Sequence, residues 1–159
     1  MPQFDPQALL GYLINRVAAT MRESLEARTR PLGLTAPQAV ILLGRYAGVA
    51  TTPAQFRRVH WVDPAAITRL LDQLERKGLT RRVPNPADRR SVLIELTDAG
   101  LELAPLVHKV ARENNARYAQ LLTADQQETV LASLRQILRY AGAGLRPQPT
   151  DERGGADDR

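Results

Sequence analysis

The spacing of apolar residues in this 159-residue chain switches from a helical to an alternating period at Gly78 and back to a helical one at Thr97, which leaves few folds open. Before the switch, Ile67, Leu70, Leu71 and Leu74 fall at i, i+3, i+4 and i+7, so the segment predicts a helix with one face committed to a core. Gly78 supplies a residue that can end it in the left-handed conformation. After it, Val92, Ile94 and Leu96 alternate with Leu93 and Glu95 as in a half-buried strand, and a partner strand is expected from about Arg81 to Pro84. The run Asn85-Pro86-Ala87-Asp88-Arg89-Arg90 between them is rich in turn residues and charge. A hairpin of two strands cannot stand alone and must lean on neighbouring helices.

Helix starts are marked elsewhere by an oxygen-bearing N-cap followed by proline, at Asp5-Pro6, Thr52-Pro53 and Asp63-Pro64. Thr35, Thr52 and Thr123 are each followed three residues later by Gln, the reciprocal capping box. These signals predict a long first helix from Asp5 to about Arg28 with a stripe of Leu10, Leu13, Ile14, Val17, Met21 and Leu25. Further helices are expected over Pro37–Tyr46 and Pro53–Val59, and from Asp63, Thr97 and Thr123. The expected organisation is an N-terminal helix over 1–34, a compact centre over 35–97, two long C-terminal helices over 98–144, and a polar, disordered tail over 145–159.

Composition excludes several functions. The chain has no cysteine, which removes disulfides, thiolate metal sites and thiol redox sensing, and only two histidines, so no metal site or cofactor is expected. No apolar run approaches the length of a membrane span, and the first 20 residues lack the pattern of a secretory signal, so a cytoplasmic location is expected. Paired carboxylates in an apolar setting, a nucleophile–base motif and a phosphate-cradling glycine loop are all missing, which argues against an enzyme. The net charge of +5 is uneven: +2 over residues 1–50, +4 over 51–97 and −1 over 98–159. Arginine supplies nearly all of it, and its planar fork suits phosphate and base edges.

Helix, short helix, tight connection, split-faced helix and charged hairpin describe a winged helix-turn-helix. The expected fold is therefore mainly α with a small β-hairpin wing, flanked by long dimerisation helices. Readers of the major groove place small and polar side chains on the exposed N-terminal part of the recognition helix. Here those positions hold Ala65, Ala66, Thr68 and Arg69, with Gln73 one turn further on the same polar face. Arg69 can fork onto a guanine, Arg81, Arg82 and Arg89 are expected to face phosphates, and an arginine at the hairpin tip can enter the minor groove.

The stretch DPAAITRLLDQLERKGLTRRVPNPADRRSVLIELTDAG, Asp63 to Gly100, resembles the recognition helix, wing and following junction of the MarR family of bacterial transcriptional regulators. The resemblance rests most on RLLDQLERKG, on Asp88-Arg89-Arg90 and on Leu96-Thr97-Asp98-Ala99-Gly100, and extends over roughly residues 6 to 144. It implies a homodimer on a palindromic operator in double-stranded DNA, with Arg90 as the wing arginine of the minor groove and Asp88 as the acid that orients it. It also implies a repressor released by a small aromatic or phenolic ligand. The third helix and turn, TPAQFRRVHWV, depart from the family, which more often has a Leu-Ala pair and a small turn residue there. Tyr12 and Arg16, one helical turn apart, offer an aromatic plate and a carboxylate fork, and His60 and Trp61 are further ligand candidates. Dimer packing explains Tyr12 equally well, whereas Trp61 more readily covers the core of the winged domain and His60 more readily reads as a solvent-exposed turn histidine. A constitutive DNA-binding regulator or architectural protein without an effector stays open at this point.

Overall fold

The computed structural model describes residues 5, 8–60 and 64–140. Helix α1 runs Leu10–Thr29, a 3-10 turn covers Arg30–Leu32, and α2 (Ala36–Tyr46), α3 (Pro53–His60) and α4 (Pro64–Arg76) follow. Strands β1 (Thr80–Pro84) and β2 (Val92–Leu96) pair antiparallel, and α5 (Asp98–Ala119) and α6 (Ala124–Tyr140) complete the order. Residues up to Thr123 pack as one compact unit, and those from Ala124 form a second.

Two of the expected capping boxes are present in full. Gln38 N–H donates to Thr35 Oγ1 while Thr35 N–H donates to Gln38 Oε1, and Thr52 and Gln55 make the same exchange at α3. The expected start of α1 is corrected. Ala8 N–H donates to the Asp5 carbonyl at 3.2 Å, and Leu9 is extended (φ −91°, ψ 121°), so α1 begins at Leu10 without a side-chain cap. The far end of α1 follows the sequence: Pro31 cannot continue the helix and Gly33 takes φ +72°. Asp63, the N-cap expected for α4, and the polar tail lie outside the described residues.

The core of the first unit joins α2, α3, α4, strand β2 and the N-terminal half of α5. Ile41, Leu42, Phe56, Ile67, Leu74, Ile94, Ala104 and Val107 are at most 2% exposed. Ala104 and Val107 therefore tie α5 to the winged centre. Phe56 is the largest fully buried side chain among the described residues, and Trp61, a candidate for the same core, lies outside them. Gly100 explains the junction before α5: a Cβ there would sit 2.1 Å from the Leu79 carbonyl oxygen. Thr97 Oγ1 caps α5 by accepting Gly100 N–H and donates to Gly78 O at 2.5 Å, so the start of α5 is fastened to the end of α4.

Helices α1 and α5 are held by a small polar centre. Asn114, 5% exposed, accepts from Ser24 Oγ at 2.6 Å and donates to Met21 O at 3.2 Å. Outside that contact α1 presents Leu10, Tyr12, Leu13 and Val17 at 40–60% exposure. In the second unit, α6 exposes Val130, Leu131, Ile137 and Leu138 at 36–49%.

Candidate nucleic-acid interface

Helix α4 divides cleanly by side. Ile67, Leu71 and Leu74 are buried, whereas Ala65, Thr68 and Arg69 are exposed and Ala66 is half-buried. The 3.6-residue period thus leaves small and polar side chains outward over the first two turns, where a groove can be reached. Among the described residues Arg69 has no ion-pair partner, leaving its fork available to a ligand.

Gln73, expected on the same contact face, is half-buried and accepts a hydrogen bond from Gln38 Nε2 at 2.8 Å. Gln38 is itself buried and also takes Lys77 Nζ at 2.8 Å, while Lys77 donates to Gly33 O at 2.5 Å. This chain of polar groups anchors the C-terminal half of α4 to the corner between α1 and α2. The sequence does not reveal these roles of Gln38 and Lys77, because the partners are 35 to 44 residues away in the chain.

The wing is clamped at its base. Thr80 pairs with Leu96, Arg82 with Ile94 and Pro84 with Val92. Ile94 N–H donates to Thr51 O at 2.8 Å, and Arg45 Nε donates to Ile94 O at 2.5 Å. Arg81 forks onto Glu95 through Nε (3.0 Å) and Nη2 (2.9 Å) across the strands. Arg82 points the other way, to α4: its guanidinium pairs with Asp72 at 2.5 Å and with Glu75, and its backbone N–H donates to Glu75 Oε1 at 3.0 Å. Burial opposes the charge of that guanidinium, but the hydrogen bond to Asp72 and the neighbouring Glu75 carboxylate outweigh it and raise its pKa. Arg82 therefore stays cationic wherever the protein functions.

At the wing tip Asp88, Arg89 and Arg90 are exposed. Asp88 Oδ1 accepts the backbone N–H of Arg90 at 3.0 Å, so the acid shapes the turn that carries Arg90 instead of pairing with its guanidinium. Among the described residues Arg89 and Arg90 have no acid partner. Arg69 on α4 and Arg89 and Arg90 at the wing tip are thus exposed cations without an acid partner among the described residues.

Comparison with known proteins decides what kind of protein carries these cations. The chain is 35% identical over 130 residues to the multiple antibiotic resistance protein MarR of Escherichia coli, covering 81% of this chain and 90% of that protein. The chain belongs to the MarR family. The profile of that family matches residues 34–92, the winged centre of this MarR-family chain. An HTH-type transcriptional repressor of Mycobacterium tuberculosis is also 35% identical over 130 residues, covering 82% of this chain and 94% of its own. Among solved structures, a mutant of E. coli MarR complexed with operator DNA superposes with a TM-score of 0.76 at 32% identity, covering 87% of this chain and 99% of that one. The apo form of the E. coli protein gives 0.68 at 34% identity over 82% and 97%.

The ligand candidates are less assembled. Tyr12 and Arg16 both lie on the exposed face of α1, one turn apart. His60 ends α3 but its side chain, like Trp61, lies outside the described residues. Among those residues no group of three or more His, Cys, Asp or Glu side chains could hold a metal ion, and no helix is long and apolar enough to cross a membrane.

Proposed function

We propose that this MarR-family protein is a homodimeric, sequence-specific repressor of transcription that leaves a palindromic operator when a small aromatic or phenolic acid binds. It carries out no catalysis. The observation that carries this reading is the exposure of Arg69, Arg89 and Arg90 on α4 and the wing, without an acid partner among the described residues, in a chain that superposes on an operator-bound relative. Arg69, with Ala65, Ala66 and Thr68, reads base edges in the major groove, and Arg90 enters the minor groove beside it.

The dimer follows from the exposed apolar faces of α1 and α6, since patches of that kind mark interaction surfaces. Twofold pairing is the commonest closed arrangement, and it puts two recognition helices about 34–36 Å apart on successive major grooves. An M. tuberculosis relative 35% identical to this chain has been solved in complex with salicylic acid, with a TM-score of 0.65 over 82% of this chain and 96% of that one, which supports an aromatic acid as the effector class. Tyr12 and Arg16 are the residues proposed to receive its ring and carboxylate, with His60 and Trp61 nearby in sequence to α4. The ligand acts only through its different affinity for the DNA-bound and released geometries.

Mobility shift of the DNA upstream of its own gene, titrated with salicylate, tests this reading. A shifted complex that salicylate dissolves is expected. A complex that no aromatic acid weakens would leave a constitutive regulator, and absence of any specific complex would refute the proposal.

A further inference from the structure

We infer that Arg82 is a positioning residue, a latch with Asp72 and Glu75 that sets the angle of the wing on the recognition helix, and not a phosphate contact. The inference rests on the DNA-binding reading above. Adjacent residues on β1 point to opposite faces, so Arg81 lies along the sheet on Glu95 while Arg82 turns to α4. All of the visible bonding capacity of Arg82 is directed to one helix: Nη1 to Glu75, Nη2 to Asp72 Oδ1 at 2.5 Å, and the backbone N–H to Glu75 Oε1 at 3.0 Å. Its side chain is 30% exposed. Two of the five guanidinium N–H groups are held by these carboxylates, whose negative charge beside the fork disfavours a phosphate there.

A partly exposed ion pair adds little to stability, but a guanidinium fork fixes geometry as well as attraction. Here geometry matters because the wing is a lever. About four residues at roughly 3.3 Å each separate Arg82 from the tip, so a tilt of ~10° at the base moves the tip by about 2 Å. That is enough to break a hydrogen bond of ordinary length. The opposite side of the base is held by Arg45 on Ile94 O, so the latch and this bond together leave the hairpin one orientation.

A double-mutant cycle on operator affinity reads the latch directly. In the wild-type background Arg90→Ala is expected to weaken binding by about tenfold, the lower part of the range for a lost DNA contact. In Glu75→Gln or Arg82→Gln backgrounds the same change is expected to weaken it less than about threefold, because the wing is no longer aimed, while the effect of Arg69→Ala stays the same in all three. Glu75→Gln and Arg82→Gln should also leave similar salt slopes, whereas loss of a phosphate contact lowers the slope by about 1 in Arg82→Gln alone. An Arg90→Ala effect that is equal in every background would overturn the latch. If Arg82→Gln does not fold, as judged by circular dichroism, Glu75→Gln and Arg82→Lys carry the same comparison. Wild-type protein that held no DNA at all would refute the underlying reading, an outcome distinct from additive mutants.

Discussion

Arg69 and Arg89 are both exposed arginines without an acid partner among the described residues, yet their positions predict different effects on DNA binding. Arg69 sits on the outward face of α4 proposed to read base edges, so Arg69→Ala should cost roughly 1–3 kcal/mol and relax the preference at one base pair of each half-site. Arg89 sits on the wing, and Arg89→Ala should weaken all sequences about equally while flattening the salt dependence. Affinity measured on a panel of single-base operator variants distinguishes the two. Gly100 belongs to this scale as well. Its missing Cβ lets the start of α5 approach the Leu79 carbonyl, where any side chain would sit 2.1 Å from the oxygen. Gly100→Ala is therefore expected to destabilise the fold by about 1–3 kcal/mol, visible as a lower urea midpoint with an unchanged slope.

At the scale of elements, the polar centre between α1 and α5 makes a sharp prediction. Asn114 is buried and satisfied on both its amide oxygen and nitrogen. Asn114→Ala leaves Ser24 and the Met21 carbonyl without that partner and should lower stability by about 1–3 kcal/mol in thermal unfolding. The elements themselves were legible wherever local chemistry decides. Thr35 and Thr52 with their glutamines, the stripe Ile67 to Leu74 and Gly78 act over three to eight residues and appear as read, while the strand Val92 to Leu96 forms as expected but buries only Ile94 instead of alternating. Local signals misled at Asp5, where a capping pattern is present but α1 begins at Leu10. What the sequence hid is what depends on distant partners. Arg82 looks like any wing arginine until β1 places it over Asp72 and Glu75. Gln73 looks like a groove-facing amide until α2 brings Gln38 to it. Phe56 lies in an eight-residue helix too short to display a period, so its full burial was not evident.

For the whole molecule, charge and exposed apolar surface are distributed unevenly along the chain. The +4 stretch over residues 51–97 holds α4 and the wing, while residues 98–140, which hold α5 and α6, are neutral overall. Leu131 and Ile137, exposed on α6 at 49% and 39%, should be covered in the dimer. Leu131→Glu with Ile137→Glu is expected to shift the protein toward monomer in analytical ultracentrifugation and to weaken operator binding, since one winged unit then grips one half-site. A dimer unaffected by both changes would move the interface to another face.

If the surface of α4 and the wing binds DNA by sequence, the affinity of the wild-type protein for an operator duplex must exceed that for a scrambled duplex at every salt concentration between about 50 and 200 mM in fluorescence anisotropy. A steep negative slope of log K against log salt is expected for both duplexes, with an affinity loss of about 10³–10⁵ if about 6–10 phosphates are contacted, and a preference for the operator of at least about 10³ throughout. Binding that ignores salt, or that treats the two duplexes alike, would contradict sequence-specific binding by this surface.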